Sequence, residues 1–214
     1  MGAIFLIRHG QASWGTANYD ELSSLGEEQA RHLGYTWEAA GWLPTTAVAG
    51  SMKRHRQTAL DALAAAGQDE GYDVDHGWDE FDHEAVMEAH IPGFQTKDPR
   101  AFQDAFVWAT DRWAAGEAEG DHESFVEFSA RVLAAFDRLA LNAGRGQTSV
   151  AFTSGGPIAI VASHLLTGDT TLWSTLNSVV INTAVTKIVT GRSGRTLLSF
   201  NEHGHLPADQ VTYR

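Results

Sequence analysis

The 214-residue chain has no cysteine. Disulfides, thiolate zinc sites and a cysteine nucleophile are therefore excluded. Basic residues are also scarce: fifteen Lys and Arg stand against twenty-seven Asp and Glu, for a formal net charge of −12. A nucleic-acid partner needs a basic face against its phosphate backbone, so that class is set aside. A small anion in a locally basic pocket is still compatible with this balance. Lysine occurs only at 53, 97 and 187, and the preference for arginine reads as genome bias of little functional weight. No apolar run approaches the ~18 residues of a membrane span. Met1–Arg8 has no basic n-region, and its apolar run is too short for a signal peptide. The expectation is a cytoplasmic protein with no membrane partner.

Internal repeats and low-complexity linkers are missing as well. What is present is ordinary globular material: 43% apolar residues can fill a core, and 20% charged residues argue against disorder. At roughly 100–200 residues per domain the chain reads as a single domain over 1–214. Ala3-Ile4-Phe5-Leu6-Ile7 is a continuous apolar run of strand length, which suits a strand covered on both faces. Ser24 and Glu27 read as a capping box for a helix that places Ala30, Leu33 and Trp37 on one face. Val48-Ala49-Gly50 reads as a second strand, leading into a helix from about Arg54 to Ala66 that Gly67 ends.

Asp98-Pro99 is a helix start, with Phe102, Phe106 and Trp113 along one stripe. Asp121 opens the most regular helix, in which Phe125, Phe128, Val132, Ala135, Phe136 and Leu139 keep three-to-four spacing up to Gly144. Thr148 to Thr153 reads as a strand, and Gly155-Gly156-Pro157 opens a helix through about Leu166. Val185 to Val189 and Arg195 to Phe200, joined by residues 191–194, read as a hairpin. The sum is an α/β fold: a mainly parallel central sheet with helices on both faces and an antiparallel edge hairpin at the C-terminus. The less regular stretch at about 84–121 is expected to be a helical cap insertion, with Phe94, Phe102 and Trp108 as a partly apolar lid.

In open α/β sheets ligands sit beyond the carboxyl ends of strands. Those ends deliver Arg8-His9-Gly10, then Gly50 through Ala59 with Arg54, then Thr153-Ser154-Gly155-Gly156. Converging, they would supply an imidazole, two guanidiniums, a glycine-rich turn and a helix N-terminus, a donor set suited to a phosphoryl group. A cation at Arg54 opposes the dipole of the helix it begins, which points to a ligand there. A neutral imidazole can attack phosphorus and split one displacement into two. Ser154 reads equally well as a helix cap or as a phosphate donor. Gln11 and Ser13 follow in the turn and are candidates to line the pocket. Asn201 and His205 are expected to pin the C-terminal tail. The ten histidines give no metal signal, because no pair has ligand spacing on one helix face.

These residues resemble the histidine phosphatase superfamily, also called the phosphoglycerate mutase-like family. Ile7-Arg8-His9-Gly10-Gln11 looks like its nucleophile motif, and Tyr19 through Gly26 with Gln29-Ala30 like its first-helix entry. Ser51 through Ala59 resembles the second-arginine segment, Trp78-Asp79-Glu80 the acid segment, and Asn201 through Leu206 the C-terminal tail. The resemblance implies a phosphomonoester hydrolase on a small phosphorylated substrate, without metal or cofactor. His9 would take the phosphoryl group, Arg8 and Arg54 would hold its oxygens with Ser154 and Gly155, and Glu80 would be proton donor and then base. A second histidine usually precedes the Gly-Gly pair; Ser154 stands there instead. Among the histidines that would compensate, His83 is the first choice, as a substrate-side group, and His55 the second. Two further readings are a phosphoglycerate mutase and a phospho-ligand binder that has lost turnover.

Overall fold

The computed structural model describes residues 1–13, 20–68, 71–117 and 122–213. Its strands are β1 (Gly2–Arg8), β2 (Thr46–Ala49), β3 (Asp73–Val74), β4 (Thr148–Thr153), β5 (Val185–Gly191) and β6 (Gly194–Glu202). Its α-helices are α1 (Ser24–Ala39), α2 (Lys53–Ala65), α3 (His83–His90), α4 (Pro99–Ala114), α5 (Phe125–Leu141), α6 (Gly155–Thr167) and α7 (Trp173–Asn177). The strands form one sheet in the order β3-β2-β4-β1-β5-β6. The first four run parallel, and the β5–β6 hairpin is antiparallel and joins at β1. The mixed, mostly parallel sheet and its C-terminal hairpin follow the sequence expectation. Among the described residues, no helix is long and apolar enough to cross a membrane.

Strand alternation explains the two cores. Along β1, Ile4 and Leu6 pack with Ala151 of β4 against a cluster from α5 and α6 that includes Phe128, Val132, Phe136, Ile158 and Val161. On the opposite face, Ile7 of β1 and Val150 and Phe152 of β4 pack with Leu33, Trp37, Ala59 and Leu63 of α1 and α2. A strand covered on both faces must be apolar at consecutive positions, which is the unbroken run seen in the sequence. Trp113 of α4 meets Phe81, Phe125, Phe128 and Trp173, so the aromatic stripe of α4 is core on this side. Trp108 instead lies at the surface, under the Arg112 guanidinium.

Several helix ends differ from the expected ones. The cap of α1 is Ser23, whose hydroxyl accepts from the Gly26 N–H, and Ser24 is the first helical residue. Two adjacent serines offered the same signal one residue apart. The start of α5 is Phe125, capped by Ser124 in a reciprocal box with Glu127; Asp121 lies outside the described residues. The two short helices α3 and α7 carry too few turns for a periodic signal. Helix α2 has no side-chain cap of its own at Met52. Asp20 supplies one from the loop before α1, its Oδ2 accepting the Lys53 N–H at 2.8 Å.

Two backbones meet without side chains where β1 passes into the loop before α1. A Cβ on Gly26 would lie 2.2 Å from the Gln11 carbonyl oxygen, and one on Gly10 would lie 2.3 Å from the Gly26 oxygen. Neither neighbour is a flexible side chain, so the backbone itself would have to move. Gly26→Ala is expected to lower urea-unfolding stability by about 1–3 kcal/mol, despite the better helix propensity of alanine. Gly71→Ala, with open space around it, is expected to stay within about 0.5 kcal/mol. Equal stabilities for the two variants would contradict this packing.

Candidate active site

Parallel pairing brings the carboxyl ends of β1, β2 and β4 to one edge of the sheet. Arg8 is level with Thr153, and the His9 and Gly50 N–H groups donate to the Thr153 and Phe152 carbonyls at 2.8 and 3.0 Å. His9 is 5% exposed. Its Nδ1 lies 2.7 Å from the Gly10 carbonyl oxygen. A carbonyl only accepts, so Nδ1 carries the proton and Nε2 carries the lone pair. Burial holds the His9 pKa well below 6.5, and the positive charges of Arg54 and Arg8 and the neighbouring His55 lower it further; the Gly10 carbonyl opposes this. The ring is therefore neutral at physiological pH.

The backbone around His9 is fixed from several directions. Its carbonyl accepts from Asn182 Nδ2 at 3.0 Å and from the Thr183 N–H at 3.3 Å. Thr183 adopts φ +58°, a left-handed conformation that is strained for a β-branched residue. Its N–H also donates to the Arg8 carbonyl at 3.1 Å, and its hydroxyl pairs with His205 Nε2 at 3.0 Å. The Gly10 N–H donates to Thr58 Oγ1 at 3.0 Å, and the Thr58 hydroxyl donates to the Arg54 carbonyl at 2.7 Å. One threonine thus couples the first strand end to the second.

Arg8 Nη1 donates to the Val180 carbonyl and, at 2.7 Å, to the Tyr213 carbonyl. Arg54, 7% exposed, donates through Nη1 to Asp20 Oδ1 at 2.8 Å. Asp20 therefore both caps α2 and aims its arginine. Lys53 pairs with Glu21, and Arg56 is exposed. Asp79 takes the Ser51 N–H at 2.5 Å and the Ser51 hydroxyl at 2.7 Å, tying the second strand end to the segment that carries Glu80.

Glu80 lies against the start of α6. Its Oε2 accepts the Gly156 N–H at 3.0 Å and its Oε1 accepts the Phe81 N–H at 3.3 Å. A Cβ on Gly156 would fall 2.1 Å from Glu80 Oε1, so only glycine admits the carboxyl there. Loss of water around Glu80 raises its pKa above 4.5, against the Gly156 N–H, Arg54, the Phe81 N–H and Arg8. Of the first amides of α6, the Gly156 N–H is taken and Pro157 has none. Gly155 is left as the amide beside Ser154 for an anion.

Ser154 occupies the N-cap position of α6, yet its hydroxyl caps no amide. It lies 2.7 Å from His55 Nε2 instead. His55 is fully buried, with its ring centroid 5.7 Å from that of His9. The group against Ser154 is thus His55, not the expected first choice, His83. His83 is half-buried at the start of α3, its ring 6.4 Å from that of Phe106. Burial lowers its pKa and Glu84 raises it; Arg54 is near enough to push it down as well.

Gln11 and Ser13 both bond to the segment that leads into α1. Gln11 Oε1 accepts from the Ser23 hydroxyl at 3.0 Å, and the Ser13 hydroxyl donates to the Leu22 carbonyl at 2.9 Å. Both side chains tie the loop after β1 to the entry of α1. Tyr19 lies outside the described residues. Sequence reasoning passed over Asn182 and Thr183, and quoted Asp20, Gln29 and Thr58 within motif segments without giving them a role. Gln29 is fully buried; it accepts the Gln11 N–H at 2.8 Å and donates to Gln210 O and Thr212 Oγ1 at 2.7 and 2.8 Å. Its sequence signals were a place in the motif at the first-helix entry and a polar residue on an apolar helix face. Asn201 bonds residues 179 and 181, and His205 bonds Thr183, so both tie the tail to this edge. Among the described residues, no three His, Asp or Glu side chains form a metal-binding group.

Comparisons with known proteins agree with this architecture. The model of the histidine phosphatase superfamily (branch 1) matches residues 4–203. No curated protein matches the chain. Similar solved structures include a mycobacterial glucosyl-3-phosphoglycerate phosphatase, 22% identical over 95% of this chain and 100% of that one, with a TM-score of 0.69. A phosphoserine phosphatase from Entamoeba histolytica, solved with phosphoserine, is 19% identical over 97% and 100% of the two chains, at a TM-score of 0.70. A phosphoglycerate mutase from Bacillus anthracis is 20% identical over 95% and 94%, at 0.67. With the family model spanning nearly the whole sequence, the chain belongs to the histidine phosphatase superfamily, branch 1.

Proposed function

We propose that this protein is a phosphomonoester hydrolase that works through a phosphohistidine on His9, with a small phosphorylated molecule as substrate. The observation that carries the reading is the state of His9: a buried, neutral imidazole with its lone pair on Nε2, in the field of Arg8 and Arg54. Such a ring is a nucleophile, and the guanidiniums that discourage its protonation attract a phosphate dianion.

In the first step His9 Nε2 forms a bond to phosphorus as the ester P–O bond breaks. Arg8, Arg54, the Gly155 amide and the Ser154 hydroxyl stabilise the equatorial oxygens. Glu80, whose protonated form is favoured by loss of hydration, gives its proton to the leaving alkoxide. In the second step the Glu80 carboxylate takes a proton from water as that water attacks phosphorus. The P–N bond breaks, phosphate leaves, and Glu80 is protonated again. In this reading the guanidiniums supply the positive charge, so the reaction runs without a metal or cofactor. Helices α3 and α4, within the stretch at about 84–121, act as the cap that sets substrate choice.

Turnover of p-nitrophenyl phosphate tests the reading. His9→Ala is expected to abolish it while leaving a folded protein. Equal activity in the two would remove His9 as nucleophile. An inactive wild type that binds inorganic phosphate tightly would replace the hydrolase by a phospho-ligand binder.

Glu80 makes a separate prediction. Its protonated form is needed for phosphoryl transfer, so kcat/KM is expected to fall as pH rises through the raised Glu80 pKa. Glu80→Gln is expected to remove that limb. It should lower kcat/KM for an alkyl phosphate by about 10²–10⁴, and for a nitrophenyl ester by much less, because nitrophenolate leaves without a proton. Equal losses for both esters would argue against a proton donor at this position.

A further inference from the structure

We propose that His55 and Ser154 act as one unit, in which His55 Nε2–H donates to Ser154 Oγ and thereby directs the serine hydroxyl hydrogen at a phosphoryl oxygen of the substrate. This deepens the phosphatase reading and rests on it. Ser154 is the catalytic residue of the pair and His55 the positioning residue.

Three observations converge. First, Ser154 is 1% exposed and stands at the start of α6, beside the Gly155 amide. The amides that a hydroxyl at this position would cap are closed to it, Gly156 donating to Glu80 and Pro157 having none, and it faces an imidazole 2.7 Å away. Second, His55 Nδ1 is buried with no hydrogen-bond partner. An N–H left without an acceptor in the interior is rarer and costlier than an acceptor left without a donor. The proton therefore sits on Nε2, and Nε2–H donates to Ser154. A serine oxygen that accepts from His55 keeps its own hydrogen to give elsewhere. Nδ1 is crowded against Gly50, 2.2 Å from where a Cβ would stand there. Asp79 Oδ1 borders the same space, but its carboxylate already receives both the Ser51 N–H and the Ser51 hydroxyl.

Third, the pair is poorly justified as a device for folding. A fully buried imidazole with a single hydrogen bond, next to a guanidinium and a second imidazole, is an unfavourable core element. Such placement is characteristic of a group kept for its chemistry. The ring reaches the site from α2, the helix that also presents Arg54, so one element sets both the arginine and the orientation of the serine. A lone serine rotates among three staggered positions; the His55 bond selects the rotamer and the hydroxyl hydrogen together.

The test is a double-mutant cycle read with p-nitrophenyl phosphate turnover and with inorganic phosphate affinity by calorimetry. Ser154→Ala is expected to lower kcat by about 10²–10³ with a smaller change in KM, as for a lost oxyanion donor. His55→Ala is expected to lower kcat at least tenfold, and to lower it no further once Ser154 is alanine. His55→Gln, which keeps a side-chain N–H, is expected to recover most of the His55→Ala loss. A further loss from His55→Ala in the Ser154→Ala background would overturn the pairing. So would a His55→Gln variant as slow as His55→Ala, or a Ser154→Ala variant as fast as wild type.

The tautomer needs no variant. Nitrogen NMR of histidine-labelled wild type at neutral pH is expected to show His55 protonated at Nε2, and protonation at Nδ1 would overturn the proposal. If His9→Ala kept full turnover, the phosphohistidine reading would fail. If His9→Ala were dead but Ser154→Ala unaffected, the pair alone would fail. If the wild type turned nothing over, weaker inorganic phosphate binding by Ser154→Ala would still support the pair, and unchanged binding would sink it.

Discussion

The imidazole of His9 is buried beside two guanidiniums and a second imidazole, and the loss of water and then that company favour the neutral ring. This constraint organises the rest of the site. A neutral ring offers one lone pair, and the Gly10 carbonyl decides which nitrogen bears it. The guanidiniums that add to the effect of burial on the ring would, in the proposed reaction, also attract a phosphate dianion. A neutral imidazole could then attack without first losing a proton.

Holding mutually repelling groups in place needs a rigid frame, and the frame is built from main-chain hydrogen bonds. Thr58 joins Gly10 to the carbonyl of Arg54; Asn182 and Thr183 hold the carbonyl of His9; Gln29 ties the loop after β1 to the C-terminal segment. Asp20 offsets part of the repulsion by pairing with Arg54 while capping the helix that carries it. Thr183 accepts a strained φ of +58° to place its N–H between the Arg8 and His9 carbonyls. Such strain persists where surrounding bonds fix the backbone, and here they fix it beside His9.

The sequence made the scaffold legible because burial on both sheet faces leaves an unbroken apolar run in β1, and because the α5 stripe keeps helical spacing over four turns. Strand ends then pointed to Arg8, His9, Arg54 and Ser154, since parallel strands end on the same edge. Three things were hidden. Cap positions slipped where polar residues adjoin, as at Ser23 and Ser24. The targets of Gln11 and Ser13 depend on which groups the folded loop brings beside them, and no local pattern encodes that. The pairing of His55 with Ser154 spans ninety-nine positions. It is a consequence of β2 lying beside β4, which brings the start of α2 to the start of α6. His83 was the nearer choice along the chain, but His55 is the ring that lies against Ser154.

The most direct test of the central claim is to find where the phosphoryl group rests during turnover. Enzyme mixed with a radiolabelled phosphomonoester, quenched within milliseconds in alkali and digested, should yield label on the peptide that contains His9. A phosphoramidate bond should keep that label in alkali and release it in acid. Acid-stable label on the Ser154 peptide, or no protein-bound label in an enzyme that is turning over, would contradict the account.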